Sequence, residues 1–344
     1  MSSSRETSRL DRFSRQILFR GIGEAGQRKL AESSVAVVGC GALGSPQAAL
    51  LVRAGVGEVV LIDRDFVEES NLQRQMLYDE HDAAEHTPKA LAAAAHLQLA
   101  NSLVRITPHV ADLTPRNIAS LLGDAQVILD GTDNFETRYL LNDYCVQSGK
   151  PWIYGAAVAS TGVCFAIRPG KTPCLACLFP AAPTGAHETC DTSGILNAVS
   201  SLVASLQVAE ATKLLVGAES ELSGKIVSVD VWNTRFQTVD AGAASADCRV
   251  CQHREFDYLA GTKSAPITLC GRDSVQIHER ERPLDFALLA GQLSPLGAVR
   301  YNAGVFRFLV DSYEMTIFPD GRAIIKGTTD TGVARSLYAR YIGA

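Results

Sequence analysis

Residues 35–63 restrict the fold more than any other stretch of the chain. An apolar run, Val35-Ala-Val-Val38, breaks into Gly39-Cys-Gly41-Ala-Leu-Gly44, and a segment of small and apolar residues continues to Ala54. A second apolar run, Val59-Val-Leu-Ile62, ends at Asp63. This reads as strand, tight glycine turn, helix, strand, acid. Gly39 and Gly41 allow the backbone to turn sharply and approach a phosphate, and Gly44 allows the helix to lie close to the strand. The helix N-terminus adds free N–H groups and the positive end of its dipole. Asp63 stands 24 positions after Gly39, where an acid can bind a ribose hydroxyl. Taken alone, the stretch specifies a nucleotide, with a dinucleotide as the default.

Residues 63–89 argue against that default. Asp63-Arg-Asp65 leads into Asn71-Leu-Gln-Arg74-Gln75, and Thr87-Pro-Lys89 opens an Ala/Leu-rich helix. Thr87 suits the N-cap and Pro88 the first helical position. A lysine in the first turn opposes the helix dipole at a cost of about 0.3–1 kcal/mol when exposed. That placement makes sense if Lys89 faces a polyphosphate. Ordinary surface cations on a solvated loop would explain Lys89 alone, but explain the set Asn71, Arg74 and Lys89 behind a glycine turn less well. An NAD-dependent oxidoreductase accounts for the glycine turn and Asp63. It leaves the cations, a later Asp133 and four cysteines without a use.

The glycine turn, Asp63-Arg-Asp65, Asn71-Leu-Gln-Arg-Gln75, Lys89 and Thr132-Asp-Asn134 together resemble the ThiF/MoeB/HesA adenylyltransferases, relatives of the ubiquitin-activating enzymes, and most of all the ThiF type. The resemblance spans about residues 10 to 255. It implies MgATP bound by Gly39, Gly41, Gly44, Asp63, Asp65, Asn71, Arg74, Lys89 and Asp133, with Asp133 holding Mg²⁺. It also implies a catalytic set of Arg74, Lys89, Asp133 and Arg15. Ser14-Arg15-Gln16-Ile17 resembles the family's N-terminal Arg-Gln motif, whose arginine crosses a homodimer interface into the partner's ATP site. The implied substrate is a ubiquitin-like sulfur carrier ending in Gly-Gly. Its carboxylate is adenylated and then converted to a thiocarboxylate with sulfur from a donor protein. ThiS-like carriers of thiamine thiazole synthesis and MoaD-like carriers of molybdopterin synthesis share every residue named so far. A cysteine in a later loop favours the thiamine branch. A non-catalytic scaffold of this fold would be signalled by loss of Arg74, Lys89 or Asp133, and all three are present.

With 344 residues the chain is long enough for one large and one small domain. Its 47% hydrophobic and 20% charged content is that of an ordinary globular protein, and a net charge of −5 argues against bulk nucleic-acid binding. No uninterrupted apolar run approaches the ~18 residues of a membrane span. The polar start, Met1-Ser-Ser-Ser-Arg-Glu-Thr, has no apolar core, so residues 1–9 read as a disordered tail and the chain as cytoplasmic. Between Arg9 and Ala31, apolar residues at 13, 17 and 18 suit one amphipathic helix. Strands and helices then alternate through Ala125-Gln-Val-Ile-Leu-Asp130 to Gly131-Thr-Asp133-Asn134. They predict a Rossmann-like, doubly wound sheet with a mixed, partly antiparallel extension from residues 151–169 onward. An acid at the carboxyl end of such a strand lines the ligand crevice, which suits Asp133 to Mg²⁺, although an Asx-turn or helix N-cap at Asp133 is equally compatible. Arg138, one helical turn on, reads as a structural ion-pair partner.

Cys174-Leu-Ala-Cys177 and Cys248-Arg-Val-Cys251 supply four thiolates suited to tetrahedral Zn²⁺, and the wide gap between them ties distant segments together. A closed four-cysteine site has no open position and reads as structural. Nine cysteines in a chain without a leader favour metal over disulfides. Cys190 lies in a turn-rich loop ahead of a long apolar helix from Ile195 to Leu215, and helix N-termini lower thiol pKa. It is the candidate reactive thiol, weighed equally against a spare exposed cysteine. From residue 256 to 344 the composition changes, and the pattern reads as a small α+β domain of unassigned role. It comprises a helix from Leu284, a three-strand meander over Val299–Lys326 and a last helix over Thr331–Tyr341. Cys270 reads as structural there.

Overall fold

The computed structural model describes residues 10–181, 193–262, 274–277, 284–302, 304–319, 321–328 and 330–343. The chain divides into two compact units. One is Met1–Glu85 with Lys89–Ser264; the other is His86–Pro88 with Ala265–Ala344. The expected tail 1–9, Cys190 and Cys270 lie outside the described residues.

The first unit is built on an eight-stranded sheet. Its strands are β1 (Ser34–Val38), β2 (Glu58–Asp63), β3 (Arg105–Val110), β4 (Val127–Asp130), β5 (Trp152–Val158), β6 (Thr161–Ile167), β7 (Lys225–Asp230) and β8 (Arg235–Asp240). They lie in the order β3-β2-β1-β4-β5-β6-β7-β8. The first five run parallel, and β6 to β8 extend the sheet antiparallel, as the alternation predicts. Successive β1 side chains enter opposite cores. Val35 and Val37 join Leu51, Val52, Leu97 and Val203 on one face; Ala36 and Val38 join Ile118, Leu122, Leu140 and Leu141 on the other. Helices cover both faces, which is why the central strands read as continuous apolar runs rather than alternating ones. Helix Asn197–Val216 is long and apolar enough to cross a membrane, but it is a core helix: Val199, Val203, Ala204 and Ala211 are buried in it.

The chain winds from β1 outward to β3 and then returns to β4 on the other side of β1. The carboxyl ends of β1 and β4 therefore form the switch point of the sheet, the place where such folds bind ligands. Val38 pairs with both Ile62 and Asp130, so Gly39, Asp63 and Gly131 all sit at or just past adjacent strand ends.

The N-terminal segment departs from expectation. It forms two short helices, Ser14–Ile17 and Gly23–Ala31, instead of one, because the chain turns over residues 18–22 and Gly23, which opens the second helix, takes a positive φ of 60°. Phe13 is buried, whereas Leu18 and Phe19 are 71% and 66% exposed, so the apolar residues do not share one buried stripe.

The second unit is a five-stranded antiparallel sheet in the order β10-β11-β12-β13-β9. It consists of β9 (Ser274–Ile277), β10 (Ala298–Tyr301), β11 (Phe306–Val310), β12 (Tyr313–Ile317) and β13 (Ala323–Lys326), with helices Phe286–Leu293 and Thr331–Tyr341. Period-two alternation puts Phe306, Phe308, Met315, Ile317 and Ile325 into one core with Leu289, Ala334 and Tyr338. The expected three-strand meander is four strands. The Asn302 side chain accepts from the N–H groups of Gly304 and Val305 and turns the chain inside what reads as one run.

Candidate active site

The glycines divide by what surrounds them. Gly39 has φ of +87°, and a Cβ there would lie 2.6 Å from the Gly131 carbonyl oxygen. A Cβ on Gly44 would lie 1.7 Å from the Gly39 carbonyl oxygen, and one on Gly131 would lie 2.5 Å from the same atom. These three are bare so that β1, β4 and helix Gly44–Ala54 can cross in contact. Gly41 is different: a Cβ there would meet only Gln75 Nε2, at 3.8 Å. The space in front of it is open, as close backbone approach to a phosphate requires. The helix beginning at Gly44 has Leu43 as its N-cap, no side-chain cap bond and no acid in its first turn. That end of the helix suits an anion.

Asp63 holds the turn together. Its Oδ2 accepts from the Cys40 N–H at 2.6 Å and its Oδ1 from the Asp65 N–H at 2.7 Å. Burial pushes its pKa up, and Lys89 opposes the rise. Lys89 is buried, with Nζ 3.3 Å from Asp65 Oδ2, and its backbone N–H donates to the Asp65 carbonyl at 2.8 Å. It is the first residue of helix Lys89–Ala100, so Pro88 stands just before the helix rather than at its first position. Arg64 bonds Asp112 Oδ1 and Oδ2 at 3.2 and 3.1 Å. Burial would lower its pKa, but Asp112, Asp65 and Asp133 together raise it. The Tyr78 hydroxyl donates to the Cys40 carbonyl at 2.7 Å and lies 3.3 Å from the Lys89 carbonyl, joining the glycine turn to the lysine helix.

The segment of Asn71 and Arg74 lies beside this turn through Gln75. Asn71 is buried, and its Oδ1 accepts from the Glu68 N–H at 3.2 Å. Arg74 is half-buried, and its Nη1 donates to the Ser70 carbonyl at 2.8 Å. Asp133 lies just beyond β4 with its side chain exposed, and the Asn134 amide approaches it at 3.5 Å. The N-cap of helix Phe135–Ser148 is Asn134, whose Oδ1 accepts from the Thr137 N–H at 2.9 Å, and not Asp133. Capping therefore leaves the Asp133 carboxylate to the crevice. Arg138 makes the expected ion pair, with Nε 3.0 Å from Asp130 Oδ2.

Arg15 stands apart. Its neighbour Gln16 donates to the carbonyl of Ala54, the last residue of the 11-residue helix that begins at Gly44. Arg15 thus lies at the far end of that helix from the glycine turn, roughly 16 Å away at 1.5 Å per residue. Its side chain is exposed.

The four cysteines of the two Cys-x-x-Cys pairs come together, with all four sulfurs within 4.8 Å of one another. Three of the distances are 3.8 Å (Cys174–Cys177), 3.6 Å (Cys174–Cys248) and 3.4 Å (Cys177–Cys251). A tetrahedron with Zn–S of about 2.3 Å has edges of about 3.8 Å, whereas a disulfide requires ~2.05 Å. Burial raises the Cys174 pKa and pushes Cys251 up to about 12, while hydrogen bonds within the cluster outweigh burial and lower that of Cys248, so holding Cys174 and Cys251 as thiolates at neutral pH calls for a compensating cation. The segment after the second pair is anchored to helix Phe135–Ser148 by Asp143, whose Oδ2 accepts from the Tyr258 N–H at 2.9 Å, and by Tyr139 stacked on Tyr258 at 5.0 Å.

Sequence reasoning missed Tyr78, the role of Gly131, and a buried amide pair. Gln207 Nε2 donates to the Asp130 and Ile153 carbonyls at 2.8 and 2.9 Å, and Gln47 Nε2 donates to Gln207 Oε1 at 2.6 Å. Gly131 had a legible signal, a second strand running directly into a glycine. Tyr78 and the glutamines had none, since each acts through partners distant in sequence.

The pattern of the ThiF family matches residues 13–250. The chain is 45% identical over 338 residues to the sulfur carrier protein ThiS adenylyltransferase of Bacillus subtilis, covering 96% of this chain and 99% of that protein. It is 39% identical over 248 residues to the sulfur carrier protein adenylyltransferase of Thermus thermophilus, covering 70% and 90% respectively. The crystal structure of E. coli MccB with MccA-N7isoASN superposes with a TM-score of 0.62 at 25% identity, over 70% of this chain and 74% of that one.

Proposed function

The chain belongs to the ThiF family, and we infer from that premise that it adenylates the C-terminal Gly-Gly carboxylate of a ThiS-like sulfur carrier protein at the expense of ATP. It is a nucleotidyltransferase that activates the carrier for thiocarboxylate formation in thiamine thiazole synthesis. The observation that favours a ThiS-like over a MoaD-like carrier is length. Similarity to the ThiS adenylyltransferase covers 96% of this chain and 99% of that protein, the second unit included.

In the reaction the carrier carboxylate oxygen attacks the α-phosphorus. A carboxyl–phosphate bond forms, the bond to the bridging oxygen breaks, and pyrophosphate leaves with the electron pair. Such transfer is catalysed by positioning and charge neutralisation rather than by a protein nucleophile. In our reading Gly39, Gly41 and Gly44 shape the nucleotide cradle, and the open space before Gly41 supports phosphate approach there. Asp63 fixes the turn and keeps lone pairs for the ribose. Asn71, Arg74 and Lys89 face the phosphates, with Asp65 holding Lys89. Asp133, exposed at the end of β4 and not used in capping, suits Mg²⁺, which would screen phosphate charge. Arg15, remote from its own site, would complete the site of a partner subunit in a homodimer. Cys174, Cys177, Cys248 and Cys251 would hold a structural Zn²⁺, and thiolate ligands fit a reducing compartment, the cytoplasm.

Exchange of labelled pyrophosphate into ATP, with and without purified carrier, tests the activity. Exchange should require a Gly-Gly-terminated carrier and be stimulated more by a ThiS-like than by a MoaD-like protein. Stimulation by the MoaD-like carrier alone would move the enzyme to molybdopterin synthesis, and hydride transfer without exchange would reject adenylation.

A further inference from the structure

The guanidinium of Arg138 makes more bonds than an ion pair with Asp130 needs. Besides its Nε bond to Asp130, Nη2 donates to the Thr132 carbonyl at 2.7 Å and to the Gly155 carbonyl at 3.2 Å. The group is buried, with Cζ 5.4 Å from the ring centroids of both Phe135 and Tyr154. The carboxylate it pairs with is itself fully buried, and its other oxygen accepts from the Thr132 N–H at 2.9 Å and the Thr132 hydroxyl at 2.6 Å. Thr132 is thus held on its N–H, its hydroxyl and its carbonyl. That carbonyl belongs to the peptide plane entering Asp133. On the other side Asn134 is fixed as a helix cap. Among the described residues the Asp133 carboxylate makes no ion pair; the Asn134 amide approaches it at 3.5 Å and the charge of Arg64 acts from farther away, so the backbone before and after it does most to set where it points.

We propose that Arg138 is a positioning residue for Asp133, setting the Thr132–Asp133 peptide plane so that the carboxylate stands ready for the divalent cation of the nucleotide. The inference rests on the reading of Asp133 as the Mg²⁺ residue. Mg²⁺ demands near-ideal octahedral geometry at 2.0–2.1 Å, so a small rotation of this peptide weakens the site while leaving the fold intact. A rigid fork is required, because an ammonium is a point charge and does not hold carboxylate and carbonyls in one plane.

Arg138→Lys keeps the charge opposite Asp130 and loses the fork. Binding of Mn²⁺ in the presence of a non-hydrolysable ATP analogue, read from the electron paramagnetic resonance signal of free Mn²⁺, should weaken by roughly 10- to 100-fold, the usual effect of losing a partner behind a metal ligand. Affinity for the analogue without metal should stay at the wild-type value, and high Mg²⁺ should restore pyrophosphate exchange. A merely structural role would instead lower nucleotide affinity with and without metal alike, and that result overturns the proposal. Asp130→Asn leaves Arg138 in place but weakens its anchor, and should shift the metal requirement in the same direction. Wild-type Mn²⁺ affinity in both variants, or in Asp130→Asn if Arg138→Lys does not fold, also overturns it. Asp133→Asn is the reference: normal Mn²⁺ affinity there would reject the Mg²⁺ reading of Asp133 itself, a different outcome from a responsive Asp133 beside an indifferent Arg138.

Discussion

Gly41 and Gly44 look alike in the sequence and have opposite surroundings. Gly44→Ala places a Cβ 1.7 Å from a backbone oxygen, so the helix must move off β1. The expected cost is about 1–3 kcal/mol or more, read as a lower unfolding midpoint. Gly41→Ala meets nothing nearer than 3.8 Å and should leave stability within about 0.5 kcal/mol while weakening ATP binding. If calorimetry found Gly41→Ala as destabilised as Gly44→Ala, the open cradle would be wrongly placed. On the proposed reading, Arg74→Ala and Lys89→Ala each remove a cation aimed at charge that shifts in the transition state. Each should slow carrier-dependent exchange by about a hundredfold to a thousandfold, roughly 2.7–4 kcal/mol. Adenylation needs no protein nucleophile, so Cys190→Ala should leave exchange near the wild-type rate. Abolished exchange in Cys190→Ala beside active Arg74 and Lys89 variants would refute this assignment. At this scale the residue types were legible because phosphate chemistry asks for glycine and cations. Their partners were not: that Asp63 bonds Cys40, or Tyr78 the same turn, depends on strand neighbours far apart in the chain.

At the scale of elements, the central strands declared themselves through unbroken apolar runs, and the four-cysteine knot through its spacing. The knot joins the end of β6 to the segment after β8, and this yields a test by metal removal. Protein purified without added metal should contain about one zinc per chain, and a strong chelator should lower its unfolding midpoint, since the binding energy of a structural zinc is folding energy. An unchanged midpoint in verified metal-free protein would leave the cysteines without that role. Elements that escaped the sequence did so for local reasons. The first helix splits at the turn ahead of Gly23, the supposed meander gains a turn from the Asn302 side chain, and β9 is only Ser274–Ile277, too short for a periodic signal.

For the whole molecule, the position of Arg15 at the far end of its own helix layer calls for a test of subunit complementation. Arg15→Ala and Asp133→Ala chains should each be nearly inactive alone. Mixed heterodimers contain one site with both residues intact and should recover a substantial part of the exchange activity. No recovery in heterodimers verified by tagging would show that each site is built from a single chain. The second unit has its own core around Phe306, Phe308 and Met315, and its similarity to the Bacillus enzyme extends through it.

The sequence by itself determined the layered α/β architecture, the glycine turn at the carboxyl end of the sheet and the four cysteines that gather into one cluster. Each depends on local periodicity, on residues confined to tight turns, or on short spacings, and such signals survive without knowledge of the fold. Only the tertiary structure decided which glycine serves packing and which faces open space, because a Cβ clash is a property of the segment opposite. It likewise decided that Asn134 and not Asp133 caps its helix, and that the Arg138 fork reaches Asp130, Thr132 and Gly155 together. Those contacts join β4, β5 and the helix after β4, and no window along the chain contains all three with their geometry.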